Sequence, residues 1–516
     1  MTLEGAAEKG FQTDQDVEPT EQETESTTDV LTAMPDSAAA IAPVTLTMPT
    51  STTEDATDLS VLDNRPSPGE PRDYRFPRFE RAVLANGLTV VSAHVPGRAL
   101  LAAQLLMPGG AWNEPFEQRG VSVLAARAMP EGTTERDANE FTEASERLGA
   151  DIHADASWEA LSATMEVPRS RLGPALALLA EMAFEPAFPG EEVDRLRDER
   201  LNDLLQAWSD PRRRAERVFP ETIYSTDTPY NRPLAGIQST VGPLDREAVV
   251  ARHRAATNPS AATLVIAGDL AGLDLVRLAE DHLGTRSATG PSTAAAGPTD
   301  AAGHPAGARI VLVDRPGAPQ SELRIGHIGV PRKHPDFHAM AVLNAILGGT
   351  FNSRLNRVIR EEKGYSYGIH SSFEMRRRAG PFAVRCAVET AVTVPALTET
   401  LRIISEMTQR APDDEELSIA RDYLVGVFPL RFETAAQVAS ALGGLVIFGL
   451  PDDELDRYRP AVAAVTADDV VGAAQRNIRP NDLSLVIVGD ASQIEAPLRD
   501  AGLGDVTVIP ADATPE

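Results

Sequence analysis

The feature that most limits what this chain can fold into is that it repeats itself. Residues 249–270 read VVARHRAATNPSAATLVIAGDL, and residues 470–491 read VVGAAQRNIRPNDLSLVIVGDA. Each is a helix-like stretch, a turn and a β-rich run closing on Gly-Asp, and Asp269 and Asp490 lie 221 positions apart. The same offset lays the strand-like Gln104–Met107 on Ile325–Ile328, and the helix-like Gly120–Ala128 on Ala341–Gly349. One offset that matches at both ends marks an internal duplication, so the fold must be built twice. Within each copy, β-rich runs alternate with long amphipathic stretches such as Glu191–Trp208 and Glu415–Tyr423. That pattern predicts an α+β class: two homologous domains in tandem, each a mixed sheet with helices packed on it.

Compositional breaks bound the copies. Residues 1–72 hold fifteen acidic side chains against three basic ones and are rich in Thr, Ser and Pro. Such a segment buries too little apolar area to offset its ordering entropy, which predicts a disordered acidic tail. Residues 287–307, SATGPSTAAAGPTDAAGHPAG, read as a flexible linker with His304 a solvated part of it. Domains are therefore expected at 73–286 and 308–510. The net charge of −28 over 516 residues repels phosphate backbones and anionic lipid, which excludes nucleic-acid binding by bulk electrostatics and disfavours membrane surfaces. The first 30 residues have no apolar core of a secretory signal, and the uncharged run Ser37–Thr53 is broken by Pro43 and Pro49. Cytoplasm is the expected location. The single cysteine, Cys386, excludes an internal disulfide and lies in a strand-like Phe382–Val388, where a buried core thiol is expected.

Specific motifs stand on this frame. Residues 86–134 run from Asn86-Gly-Leu88 through Gly109-Gly110 and Glu114 to Gly132-Thr133. The second copy contains Leu347-Gly-Gly-Thr-Phe-Asn-Ser-Arg-Leu355, then Arg360-Glu-Glu-Lys-Gly-Tyr-Ser-Tyr-Gly368, and later Phe428–Thr434 and Gly449–Asp453. Together these resemble the pitrilysin/insulinase family of metallopeptidases, which includes the mitochondrial processing peptidase and its bacterial relatives, over about residues 75–508. The resemblance implies that family's fold, and a helix carrying the inverted zinc motif H-x-x-E-H.

That motif is absent. The corresponding helix reads Gly120-Val-Ser-Val-Leu-Ala-Ala-Arg127, which puts Val123 and Arg127 at the two His positions and Ala126 at the general-base Glu. The family's third ligand falls at about Asp203. Zinc needs two neutral imidazoles on one helical face and a carboxylate, whereas valine cannot ligate and a guanidinium repels a dication. Without Glu at 126 no base takes the proton of a metal-bound water. An Arg127–Asp203 salt bridge standing in for the metal is the expected local structure. The one His pair at i, i+4, His334 and His338 in HPDFH, straddles a Pro-Asp step that reads as a helix start, so it predicts a cap and a half-buried imidazole. His153 occupies the place where the family has an edge-strand Asn beside the substrate.

Arg360 and Tyr367, seven residues apart, keep the spacing of the family's Arg/Tyr pair. The resemblance implies that they bind the substrate carbonyl and stabilise an oxyanion at a zinc site on the opposite half. A permanent cation and a phenol donor suit that task; a helix-end Arg and a packed Tyr before a closing Gly364 is the plainer reading. Gly348 and Gly349 suit a loop that a substrate backbone approaches closely, or a helix end. The implied function is a non-catalytic, substrate-binding subunit that binds no metal itself. It would pair with a homologous zinc-carrying subunit in a heterodimer that cleaves peptides in a closed chamber. The alternative is a non-proteolytic scaffold or peptide-binding protein of the same descent.

Overall fold

The β-rich runs that close on Gly-Asp are central strands of two six-stranded sheets. The computed structural model describes residues 72–287 and 309–513, with 69, 300, 301 and 303. The segments 1–72 and 287–307, read above as tail and linker, fall almost wholly outside the described residues. The first sheet is formed by β1 (Phe79–Val83), β2 (Thr89–His94), β3 (Leu100–Pro108), β4 (Asp151–Ala156), β5 (Ala160–Pro168) and β6 (Thr263–Gly268), in the order β1-β2-β6-β3-β5-β4. The second is formed by β7 (Arg309–Asp314), β8 (Gln320–Ile328), β9 (Ile369–Phe373), β10 (Pro381–Glu389), β11 (Ser484–Gly489) and β12 (Asp505–Ile509), in the order β12-β7-β11-β8-β10-β9. Five positions correspond one to one. β6 is parallel to β2 and antiparallel to β3, as β11 is to β7 and β8. The copies differ at one edge, where β1 pairs antiparallel with β2 but β12 runs parallel to β7.

β6 and β11 are buried at every position, and this requires cover on both faces. One face of each sheet packs on helices of its own repeat. The other face is covered by a helix from the opposite repeat. Take α1 as Val121–Ala128, α2 as Leu172–Phe184, α3 as Gly190–Ser209, α4 as Pro211–Ile223, α5 as Arg246–Ala256, α6 as Phe337–Asn344, α7 as Asp414–Val427 and α8 as Ala435–Phe448. α4, from the first repeat, lays Ala215, Val218, Phe219 and Ile223 against Val313, Ala383, Val486 and Val488 of the second sheet. α8 returns the exchange, packing Val438, Ala439, Leu442 and Leu445 on Val91, Ala102, Leu106 and Val265. Glu70–Glu516 therefore forms one compact unit.

A polar contact accompanies the apolar exchange. Arg324, on β8, is 2% exposed, and its Nε donates to the Glu216 carboxylate of α4 at 2.8 Å. Arg385, in register with Arg324 on β10, donates to the same oxygen at 3.2 Å. Cys386 is buried, and burial pushes its thiol up to about 12. No helix among the described residues is long and apolar enough to cross a membrane.

Candidate functional site

Helix α1, where the family resemblance expects the metal motif, is tied down at its start by polar contacts. Both oxygens of the half-buried Glu114 carboxylate accept backbone N–H groups at its start, from Gly120 at 2.8 Å and Ser122 at 2.7 Å. Burial raises the Glu114 pKa, and those hydrogen bonds and the charge of Arg252 offset part of the rise. Arg252, from α5, donates to the Ser122 hydroxyl at 2.8 Å and the Gly110 carbonyl at 2.9 Å. Gly120 and Gly236 both have positive φ, and a Cβ on Gly236 would stand 2.3 Å from the Arg119 carbonyl oxygen, so glycine is required where these segments cross.

The ligand positions on this helix are filled by other chemistry. Val123 is half-buried, Ala126 is buried, and Arg127 extends to the Glu199 carboxylate on α3 at 3.1 Å. The expected Arg127–Asp203 bridge does not form. Asp203 has both oxygens engaged, one by Arg213 at 2.7 Å and one by Arg200, while Glu199, one turn earlier with a longer side chain, reaches Arg127. Burial acts to raise the Asp203 pKa, but Arg213 and Arg200 outweigh it and hold the carboxyl below its usual range. The donor set does not fit zinc: one valine, one alanine, one guanidinium and carboxylates already bound to arginines. Among the described residues, no group of three or more His, Cys, Asp or Glu could hold a metal ion. His334 lies outside α6, accepting the Asp336 N–H at 3.2 Å, and His338 packs on Phe337 and Tyr458.

β4 is a free sheet edge beside this helix. His153 lies on it, exposed, with Nε2 2.7 Å from the Thr164 hydroxyl of β5. Asp151, His153 and Asp155 alternate outward along the strand.

In the second repeat, Gly348 and Gly349 end the helical turn Ala345–Gly349. A Cβ on Gly348 would meet the Ser371 N–H and hydroxyl of β9 at 2.7 Å, so the room this glycine leaves is filled by the chain's own edge strand. Arg360 lies in the last turn of Asn356–Glu362, which Gly364 closes with φ +65° and an N–H to the Arg360 carbonyl at 3.1 Å. The guanidinium of Arg360 stacks 4.1 Å from the ring centroid of Phe351, itself 61% exposed. Tyr367 is 96% exposed. Among the described residues Arg360 forms no ion pair, and Tyr367 has no hydrogen-bond partner.

Comparison with known proteins agrees with this architecture. Residues 89–237 match the insulinase family (peptidase family M16), and residues 243–424 match the peptidase M16 inactive domain. The chain belongs to the insulinase family. Its relatives include an uncharacterized zinc protease of Mycobacterium tuberculosis, 25% identical over 73% of this chain and 85% of that protein. A non-peptidase homolog of Helicobacter pylori is 22% identical over 75% of this chain and 88% of its own length. In fold, the chain resembles a peptidase M16 inactive domain from Pseudomonas fluorescens (TM-score 0.73, 23% identity, 80% of this chain and 98% of that one). It also resembles a protease from Helicobacter pylori (TM-score 0.75, 18% identity, 80% and 100%).

Against that family background, the residues singled out in sequence fall into two groups. Val123, Ala126, Arg127 and Asp203 gather around α1 and α3, although Asp203 bonds other partners than expected. Gly348, Gly349, Arg360 and Tyr367 gather around β9 and the turns before it. Two elements escaped sequence reading. Phe351 lies inside the quoted glycine-rich motif but shows its stacking role only once Arg360 is placed. The Glu216–Arg324–Arg385 cluster had one signal, two arginines in apolar strands, whose partner is far away in sequence.

Proposed function

We propose that this chain is a non-catalytic, substrate-binding subunit of a heterodimeric zinc metallopeptidase, built from domains at 73–286 and 308–510. The observation that carries the reading is a contrast within one chain. The metal helix keeps its supports but holds Val123, Ala126 and an ion-paired Arg127, while half-buried Arg360 and fully exposed Tyr367 have no side-chain polar partners among the described residues. A guanidinium and a phenol O–H without internal polar partners are available to a peptide carbonyl oxygen as negative charge develops on it. Stacking on Phe351 restricts Arg360 without using its N–H groups. The peptide is laid along a free sheet edge, where backbone hydrogen bonds give affinity and alternate side chains give selectivity. The residues needed to hold zinc and activate water come from the partner.

The test has two stages. Native mass spectrometry with zinc analysis on the chain purified from its own source should find a second, homologous polypeptide and about one zinc per pair. Arg360→Ala with Tyr367→Phe should then abolish peptide cleavage by the complex without dissociating it. Unchanged turnover would refute the assignment. A zinc-free monomer or homodimer that still binds peptides would instead favour a non-proteolytic peptide-binding scaffold.

A further inference from the structure

In the first repeat, a cleft of 510 Å³ opens between the end of α2 and one face of α5. Its α2 wall is Phe184 and Glu185, continued by Pro186–Phe188. Its α5 wall is Arg246, Val250, His253, Arg254 and Thr257, residues spaced to share one helical face. Arg286 closes the rim. We propose that this cleft binds a small amphipathic oxyanion: a phosphate ester or similar dianion carried on an apolar body.

Charge is the first argument. Three guanidiniums, from Arg246, Arg254 and Arg286, line a cleft whose sole carboxylate, Glu185, is already bound to Arg286. In a chain of net charge −28 this is a local reversal of sign. Gathered like charges raise one another's free energy, and an oxyanion lowers it while matching the planar fork of a guanidinium. Arg254 is exposed and has no ion pair or hydrogen bond among the described residues, and the buried Arg286 Nε has no partner either.

Preorganisation is the second. Arg246 is pinned by the Phe188 carbonyl at 2.7 Å and the Ala187 carbonyl at 3.0 Å. Those two carbonyls reach one guanidinium across Phe188, whose φ of +49° makes it the one non-glycine residue with positive φ among the described residues. Such a conformation is strained for a residue with a side chain and is found at ligand clamps. Here it is held by burial of the Phe188 ring, edge-on to His253 at 5.2 Å.

Shape is the third. Phe184, Pro186 and Val250 give the cleft an apolar side that a bare inorganic ion would leave unused, and the volume lies in the range of small-molecule sites. His253 adds no charge, because burial lowers its pKa to about 4.

Isothermal titration calorimetry of the full chain with phenyl phosphate, inorganic phosphate and benzyl alcohol tests each part. Phenyl phosphate should bind, more weakly as salt rises, and at least tenfold more tightly than either other probe. Arg254→Ala should weaken it tenfold or more with an unchanged circular dichroism spectrum, and Arg254→Lys should stay within about threefold of the parent. Absence of phenyl phosphate binding at millimolar concentration, or equal binding by Arg254→Ala, would overturn the site. Inorganic phosphate binding as tightly as the ester would overturn the amphipathic ligand class.

Discussion

Removing the Glu216 carboxylate should loosen the whole unit, not only α4. Arg324 is 2% exposed and keeps Glu322 at 2.9 Å after the change, so its charge is not left wholly unpaired. What is lost is one part-buried charge-assisted hydrogen bond, about 1.5–3 kcal/mol, and a longer bond to Arg385 at 3.2 Å. Arg385 keeps Glu374 at 2.6 Å, and the Glu216 side chain is 42% exposed, so that second bond adds under about 1 kcal/mol. Glu216→Ala should therefore cost about 2–3 kcal/mol. The thermal signal is small for a physical reason. At about 2 cal/mol/K per residue, the unit Glu70–Glu516 has an unfolding entropy on the order of 0.9 kcal/mol/K, so Tm falls by only about 3 °C. Urea titration, with its long extrapolation avoided by comparing midpoints, is the better assay. Glu216→Gln, which keeps an acceptor for Arg324 but not the charge, should recover roughly half the loss. The reasoning fails if Glu216→Ala moves the midpoint no further than Glu415→Ala, a change in the exposed first turn of α7.

Other outcomes follow from the same structure. Gly348→Ala places a methyl 2.7 Å from Ser371 and should cost about 1–3 kcal/mol in unfolding experiments; parent-like stability would show that the turn and β9 can separate. Burial lowers His253 and His327 to about 4 from an ordinary 6.5, so each contributes stability that is complete above pH 6.5 and is lost as pH falls through 4. Unfolding midpoints should decline steeply across that window, and a flat profile would contradict both burials. Cys386 carries the opposite sign: its stabilisation is complete below the unfolded thiol pKa and fades as pH rises toward 12, and a thiol reagent should label it only in denaturant. Because each sheet is covered by the other repeat's helix, residues 1–287 and 308–516 co-expressed as separate chains should co-purify; independent folding of either would refute the exchange.

The sequence determined the duplication, and with it the class of fold and the strands that repeat. Both β6 and β11 follow directly from the run before Gly-Asp, because a strand buried on both faces reads as an unbroken apolar segment. It also determined that Val123 and Ala126 carry no metal donor, whatever surrounds them. Partner choice was beyond it. Asp203 and Glu199 are both acidic and one turn apart, and only the placement of Arg200 and Arg213 decides that Asp203 is occupied and Glu199 takes Arg127. The exchange of α4 and α8 between repeats was hidden for the same reason: an amphipathic helix states that it needs an apolar face to cover, not which one. Local pattern fixes what a segment is, and long-range packing fixes what it touches. The stacking of Arg360 on Phe351, the convergence of three arginines beside Phe188, and Glu216 shared between two strands all belong to the second kind.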